Sequence, residues 1–227
     1  MSEAKTIVIT GGTGGLGTAV VAHLLGDYRC VVLYNRIEGF ETLRNALGSP
    51  GTLGGVRADL TDDASVDTAI AEAAGRHGGL YGLVHLAGGF ALGTVEESGP
   101  DLWQQMLSLN LLSAASAFRA VMPHLRAGKC GRIVAVASEA AFAKPAGVAA
   151  YAVSKSALCT LVEITAKELR GSGITANAVA PGSLATPAMK KEGMTGLIPL
   201  ERVAETIAFL LGDGAANVTG AIIPLHA

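Results

Sequence analysis

Cysteine is scarce in this sequence, which contains only Cys30, Cys130 and Cys159 among its 227 residues. The three lie far apart and form no Cys-x-x-Cys pair, which argues against a disulfide framework and against a zinc site. We therefore expect reduced thiols and no bound metal.

Charge is also scarce, because charged residues make up 16% of the chain and the formal net charge is −2. Without an excess of Lys and Arg there is no bulk attraction to nucleic acid or to an anionic membrane, so neither is expected as a partner. No apolar run approaches the roughly 20 residues that cross a bilayer, and residues 1–5 lead into a predicted strand without a signal-peptide pattern. These absences predict a cytoplasmic protein.

Hydrophobic residues make up half of the chain, and short β-branched runs alternate with stretches of helical period. Strands are predicted over residues 6–9, 31–34, 53–57, 80–86, 132–136, 174–179 and 221–225, and the main helices over 15–25, 101–125, 150–169 and 201–211. Near-continuous apolar strands between helices predict a three-layer α/β/α, Rossmann-type doubly wound parallel sheet of about seven strands. No linker or repeat divides residues 1–227, so a single domain is expected. Its least regular segment, about 182–200, favours a short substrate flap over a plain surface loop.

A glycine-rich stretch, Thr10-Gly-Gly-Thr-Gly-Gly-Leu-Gly17, separates the first predicted strand from the first helix. Glycines permit positive φ and a close approach of backbone to ligand, and a helix N-terminus offers N–H groups to a pyrophosphate. The stretch therefore favours a dinucleotide site over a merely flexible turn.

Further short motifs follow in order along the chain. They are Asp59-Leu60-Thr61, Ala87-Gly88, Asn110, Ser138, Tyr151-x-x-x-Lys155 and Pro181-Gly182 with Thr186. Together with the Thr-Gly-x-x-x-Gly-x-Gly spacing of the glycine turn, they resemble the short-chain dehydrogenase/reductase family along nearly the whole chain. The resemblance implies an NAD(P)-dependent oxidoreductase that acts on a carbonyl or alcohol, and a homodimer or homotetramer built through the long helices.

The resemblance also implies roles for individual residues. Tyr151 would act as general acid or base, and Lys155 stands on the same helix face because it lies four residues on. An ammonium there, with oxidised nicotinamide, would lower the phenol's pKa from about 10. Ser138 would hold the substrate oxygen, and Asn110 would join a water relay to Lys155. The implied cofactor-binding residues are Gly11, Thr13, Gly15, Leu16, Gly17, Asn35, Arg36, Asp59, Leu60, Ala87, Gly88, Tyr151, Lys155, Pro181, Gly182 and Thr186.

The end of the second strand bears on which nicotinamide cofactor is used. NAD-preferring relatives usually carry an acid where this chain has Asn35, and Arg36 beside it could pair with a 2′-phosphate. NADP(H) is therefore favoured, with NAD(H) as the alternative. Gly14 favours NAD(H) instead, since many NADP-using relatives have a basic residue at this position.

Some positions depart from the family pattern. Leu86 replaces the asparagine of the family's Asn-Ala-Gly, which removes one polar brace. Residues 87–90 and 185–190 have local similarity to dihydropteridine reductases, which leaves such an enzyme as an alternative. A non-catalytic dinucleotide-sensing protein is a further alternative.

The candidate substrate-pocket residues are Phe90, Glu139, Phe142, Ala143, Leu184, Met189 and Met194.

Overall fold

A sheet of seven parallel strands, in the order β3-β2-β1-β4-β5-β6-β7, runs through the computed structural model. The model describes residues 4–227, apart from the side chain of Ala188. The strands are β1 Thr6–Thr10, β2 Arg29–Tyr34, β3 Leu53–Arg57, β4 Gly82–His85, β5 Gly131–Val136, β6 Ile174–Pro181 and β7 Ile222–Leu225. The predicted fold class is confirmed.

Helices cover both faces of this sheet. They are α1 Gly15–Leu24, α2 Ile37–Ala46, α3 Asp63–Arg76, α4 Pro100–Leu107, α5 Ser113–Ala127, α6 Ala140–Ala143, α7 Ala149–Glu168, α8 Pro187–Lys191 and α9 Leu200–Leu211. A π-helical turn over Ser108–Leu112 joins α4 to α5, so the single helix predicted over 101–125 is interrupted. Such π-helical turns within helices are frequent at functional sites.

The core consists of two layers separated by the sheet. Ile7 and Ile9 of β1 face the layer formed with α1, α2 and α9, whereas Val8 between them faces α3, α5 and α7. Every residue of β1, β4, β5 and β6 is buried, which explains why these strands are apolar runs without a period of two.

The strand order reverses between β1 and β4, which are paired in register with Thr10 opposite His85. In open parallel sheets, ligands bind in the crevice at the carboxyl ends of the strands at such a switch point. The glycine turn after β1 and the Ala87-Gly88 motif after β4 both lie there.

Within residues 4–227, none of the helices has the length and apolar character needed to cross a bilayer. Residues 1–3, which contribute to the signal-peptide prediction, lie outside the described part of the chain.

Candidate active site

The glycine turn is packed so tightly that side chains are excluded at two positions. Gly11 has φ of 68°, and a Cβ placed on it would lie 2.6 Å from the backbone nitrogen of Ala87. A Cβ on Gly17 would collide with the carbonyl oxygen of Gly11. Both positions therefore require glycine, for conformation at the first and for close packing of α1 on the turn at the second.

The N-terminus of α1 presents backbone N–H groups toward the switch point. The first hydrogen bond of the helical ladder runs from the Thr18 N–H to the Gly14 carbonyl, at 2.9 Å. The N–H groups of Gly15, Leu16 and Gly17 precede that bond, so they have no acceptor within the helix. With the positive end of the helix dipole, they suit the pyrophosphate of a dinucleotide.

The residues predicted to recognise the adenosine ribose lie beside this turn. Asn35 and Arg36 are exposed between β2 and α2, and Arg36 is the N-cap residue of α2. A Cβ on Gly39, in the first turn of α2, would lie 3.6 Å from the Cβ of Thr13. The glycine turn and the end of β2 therefore border the same space.

Asp59 and Leu60 follow β3 on the same edge of the sheet. The Asp59 carboxylate accepts hydrogen bonds from the Thr61 N–H (2.9 Å) and hydroxyl (2.7 Å), which hold the pKa of this carboxyl below its usual value. Leu60 is half-buried against the core. Asp59 thus shapes the turn after β3, while its predicted contact with adenine stays a prediction.

Helix α7 brings Tyr151 and Lys155 toward the ends of β4 and β5. Lys155 is 6% exposed, its ammonium donates to the Val136 carbonyl at 2.8 Å, and burial lowers its pKa to about 8. Tyr151 is half-buried; burial raises the pKa of its phenol, and hydrogen bonding with Ser138 partly opposes that shift. The structure therefore brings Tyr151 and Ser138 together beside the helix turn that carries Lys155.

The direction of the Tyr151 shift differs from the sequence-based expectation. The ammonium of Lys155 was expected to lower the pKa of the phenol, but in the protein alone loss of solvation outweighs the lowering contribution, which comes from Ser138. The Lys155 ammonium is instead bonded to Val136. Burial depth decides this balance, and residue spacing does not report it.

Asn110 lies on the π-helical turn with no exposed surface. Its amide oxygen accepts the Gly89 N–H at 2.9 Å, and its amide nitrogen lies 3.0 Å from both the Gly89 carbonyl and the Ser154 hydroxyl. A Cβ on Gly88 would lie 2.6 Å from that amide oxygen and 3.3 Å from the Lys155 ammonium. The Asn110 side chain thus fastens the loop after β4 to α7, and its amide groups are occupied in doing so.

The segment after β6 reaches back to the glycine turn. The Thr186 hydroxyl accepts the Met189 N–H at 3.3 Å at the start of α8, and a Cβ on Gly15 would lie 3.5 Å from the Thr186 methyl group. The base of the segment is closed where the Ile198 N–H donates to the Ser183 carbonyl at 2.8 Å. The start of the predicted flap therefore borders the cofactor side of the crevice.

Pro181 and Gly182 mark the end of β6, close to Ser138. The Glu139 N–H donates to the Pro181 carbonyl at 3.0 Å, and a Cβ on Gly182 would lie 2.7 Å from the Glu139 carboxylate. The predicted Pro-Gly motif therefore packs directly against the residue after Ser138.

The candidate substrate-pocket residues do not form a single cavity. The Phe90 ring lies edge-to-face on Tyr151, with centroids 4.9 Å apart. Glu139, Phe142 and Ala143 line a cavity of about 320 Å³ beside β7, whereas Met194 lines another of about 390 Å³ in the segment predicted to be a flap. Phe90 is thus the candidate in direct contact with the predicted catalytic tyrosine.

Two histidines in this region were not among the predicted site residues. The Nδ1 of His226 lies 3.3 Å from a carboxylate oxygen of Glu139. His85 is fully buried at the end of β4, between the hydroxyls of Thr10 and Ser113. A histidine inside an otherwise apolar strand was the available signal for His85.

Comparisons with known proteins find similar sequences and structures along nearly the whole chain. The family model described as short chain dehydrogenase matches residues 5–195. The chain is 30% identical over 239 residues to the 3-oxoacyl-[acyl-carrier-protein] reductase FabG of Pseudomonas aeruginosa, covering 99% of this chain and 96% of that protein. The structure of ElxO with NADP bound has a TM-score of 0.92 at 24% identity, covering 97% of this chain and 96% of ElxO. NAD+-bound xylitol dehydrogenase has a TM-score of 0.92 at 24% identity, covering 98% of each chain.

Proposed function

The chain belongs to the short-chain dehydrogenase family and is a nicotinamide-dependent oxidoreductase, and from this premise we propose that Tyr151 moves the proton that accompanies hydride transfer to a carbonyl or from an alcohol. The observation that carries the proposal is the position of Tyr151 one helical turn from the buried Lys155, whose ammonium bonds the Val136 carbonyl and lies beside Gly88 at the carboxyl ends of β4 and β5. A surface Tyr–Lys pair on an ordinary amphipathic helix would have no reason to bury its ammonium, since an ammonium removed from water loses solvation.

The residues around the switch point fit a dinucleotide. The N–H groups of Gly15, Leu16 and Gly17 would take the pyrophosphate, and glycine at position 11 lets the turn pack directly against the Ala87 backbone. Gly88 lies beside the Lys155 ammonium, and this ammonium would bind the ribose next to the nicotinamide. Bound there, the nicotinamide supplies or accepts the hydride. The remaining predicted cofactor residues are part of the same proposal.

Proton control follows from the environment of the phenol. Because burial raises the pKa of Tyr151, its hydroxyl is protonated near neutral pH and suits a general acid for carbonyl reduction. The Ser138 hydroxyl would donate a hydrogen bond to the substrate oxygen as negative charge develops there. Lys155 would stabilise the phenolate that remains. Oxidation of an alcohol needs that phenolate at the outset, so we expect oxidation to speed up as pH rises.

The role of Asn110 in this scheme is positioning. Since its amide is occupied by Gly89 and Ser154, it holds the loop after β4 against α7. A part for Asn110 in a water relay to Lys155 stays a prediction.

We favour NADP(H) as cofactor, with NAD(H) as the second choice. Asn35 and Arg36 are exposed at the end of β2, so a 2′-phosphate there would meet no carboxylate at position 35 and could pair with the guanidinium. Among the structural neighbours, ElxO holds NADP and xylitol dehydrogenase holds NAD+, so both cofactors occur on this fold. Initial rates with NADPH and NADH test the preference, and faster turnover with NADH would refute it.

The substrate class proposed is a small or medium carbonyl compound or the corresponding alcohol. The exposed Phe90 ring against Tyr151 supplies an apolar wall beside the reacting oxygen. The reductase of Pseudomonas aeruginosa acts, by its name, on a 3-oxoacyl group, which carries such a carbonyl.

We further propose a single domain with its flap at about 182–200, a homodimer or homotetramer, and a cytoplasmic location.

Binding and turnover test this function separately. Nucleotide binding is measured by fluorescence titration with NADPH and NADH, and oxidation of each is followed with ketones, diketones, 3-oxoacyl thioesters and quinonoid dihydropterin. Binding of a nucleotide with turnover of one of the ketones, diketones or thioesters is expected. Turnover of the dihydropterin alone would replace the proposal with a pteridine reductase, and binding without any turnover would favour a sensor.

A further inference from the structure

The buried ring of His85 lies between two hydroxyl groups. Its Nδ1 is 2.9 Å from the Thr10 hydroxyl at the end of β1, and its Nε2 is 3.4 Å from the Ser113 hydroxyl at the start of α5. The ring packs edge-to-face against Phe118, with centroids 6.3 Å apart. Thr10 leads directly into the glycine turn, and Ser113 directly follows the π-helical turn. His85 thus connects the glycine turn with the π-helical turn.

The hydrogen bonds on either side of the ring determine its proton. The Ser113 hydroxyl donates to the Leu109 carbonyl at 2.7 Å, so its oxygen has only acceptor capacity left for His85. Nε2 must therefore carry the proton and Nδ1 must accept from the Thr10 hydroxyl. The Thr10 oxygen in turn accepts the Ala87 N–H at 3.4 Å. The result is one directed chain of donors and acceptors, from Ala87 to Leu109, through a neutral histidine.

The far end of this chain supports the π-helical turn. The Ser113 N–H donates to the Ser108 carbonyl, five residues back, while its hydroxyl donates to the Leu109 carbonyl. Asn110, next along the turn, fastens the loop after β4 to α7. The orientation of Asn110 is therefore linked through Ser113 to the ring of His85.

We propose that His85 is a positioning residue for the reaction: through this hydrogen-bond chain it holds the glycine turn at Thr10 in register with the π-helical turn that carries Asn110. Burial, and secondarily the charge of Lys155, lowers the pKa of His85 to about 3, so the ring stays neutral and both bonds persist at working pH. The inference rests on the proposed function, because the parts that it aligns are those assigned to cofactor binding and proton transfer.

The directed chain has a signature that does not depend on activity. In ¹⁵N-resolved NMR of the histidine rings, His85 is expected as the neutral Nε2–H tautomer from pH 5 to 8, with a slowly exchanging ring proton. A protonated Nδ1, or titration near the ordinary histidine pKa of about 6.5, would overturn the proposal. This measurement stands even if no substrate is found.

The two arms of the chain are separated by substitutions in the full-length protein. His85→Phe removes both bonds, whereas His85→Asn keeps an acceptor near the position of Nδ1 and so keeps the Thr10 arm. Since one neutral hydrogen bond is worth about fivefold in an equilibrium, His85→Phe is expected to weaken nucleotide binding and to lower kcat by about fivefold each. His85→Asn is expected to restore the nucleotide Kd to within about twofold of wild type and to leave kcat low.

Ser113→Ala removes only the arm that reaches the π-helical turn. It is expected to lower kcat by about fivefold with little change in nucleotide Kd. The matched control is Ser116→Ala, also in α5, because among the described residues the buried Ser116 hydroxyl has no hydrogen-bond partner. The proposal would be overturned by equal kcat values for Ser113→Ala and Ser116→Ala. It would also be overturned if His85→Asn bound the nucleotide no more tightly than His85→Phe. Wild-type protein without turnover would instead refute the proposed function, and the NMR and Kd measurements would still decide the role of His85.

Discussion

A methyl group at Gly17 is expected to separate α1 from the turn that precedes it. The Cβ would lie 2.7 Å from both the Cα and the carbonyl carbon of Gly12, whereas ordinary contact begins near 3.4 Å. The helix must therefore move by at least about 0.7 Å, the difference between the two distances, because the Gly11 carbonyl oxygen lies closer still. A displacement of that size lengthens an N–H···O distance of about 2.9 Å to about 3.6 Å, which is no longer a hydrogen bond.

The loss falls on the hydrogen bonds that the helix N-terminus would make to pyrophosphate. Each bond to a charged group is worth about 1.5–3 kcal/mol, so losing one weakens nucleotide binding by at least about tenfold. The strain also destabilises the folded state by about 1–3 kcal/mol. Fluorescence titration with NADPH and urea unfolding measure the two effects on Gly17→Ala.

Gly14→Ala is the matched control within the same turn. Gly14 has φ of −81°, which any residue adopts, and a Cβ there meets the Gly11 oxygen at an ordinary 3.4 Å. We expect its nucleotide Kd to stay within about threefold of wild type, because neither the backbone conformation nor the packing of the turn has to change. Wild-type affinity in Gly17→Ala, or an equal loss in both variants, would refute the assignment of the turn.

Three further predictions concern other parts of the site. Burial lowers the pKa of Lys155 from 10.5 to about 8, so between these pH values the unfolded chain binds one more proton than the folded protein. The free energy of unfolding therefore rises with pH across that window, by up to about 3 kcal/mol. Urea unfolding should show this contribution as a difference from Lys155→Met, and parallel pH profiles would contradict it. Gly88→Ala crowds the Asn110 amide and should lower kcat at least about tenfold. Gly75→Ala is the control, because a Cβ at this position on α3 meets open space, and it should leave kcat unchanged. Equal kcat values in the two variants would contradict the close packing of Gly88 against Asn110. Arg36→Ala should raise KM for NADPH by roughly tenfold and leave KM for NADH nearly unchanged, and equal changes would refute the pairing with a 2′-phosphate.

Periodicity and turn chemistry were enough to predict the sheet. Each strand lies within a few residues of its predicted span. The fully buried strands β1, β4, β5 and β6 are apolar runs, which makes them direct to predict. The break in the helix predicted over 101–125 could not be predicted in this way. No glycine or proline marks Ser108–Leu112, and the π-helical turn there coincides with contacts that Asn110 and Ser113 make to distant loops and strands.

The candidate site was predictable as far as local patterns reach. The glycine turn and the four-residue spacing of Tyr151 and Lys155 are local; in the structure the turn follows β1, and the Lys155 ammonium lies beside Gly88 after β4. The direction of the Tyr151 pKa shift depends on how deeply the phenol is buried. His85 bonds to Thr10, which lies 75 positions before it in the chain, and to Ser113, which lies 28 positions after it. Such properties arise only when the strands and helices are assembled.

Replacing Tyr151 by Phe tests the central claim most directly, because it removes the hydroxyl and keeps the ring that packs against Phe90. A general acid or base contributes about 10²–10⁴-fold to a rate, so we expect kcat to fall by at least about 100-fold while the nucleotide Kd stays within about twofold. Turnover that survives the loss of this hydroxyl would contradict the account.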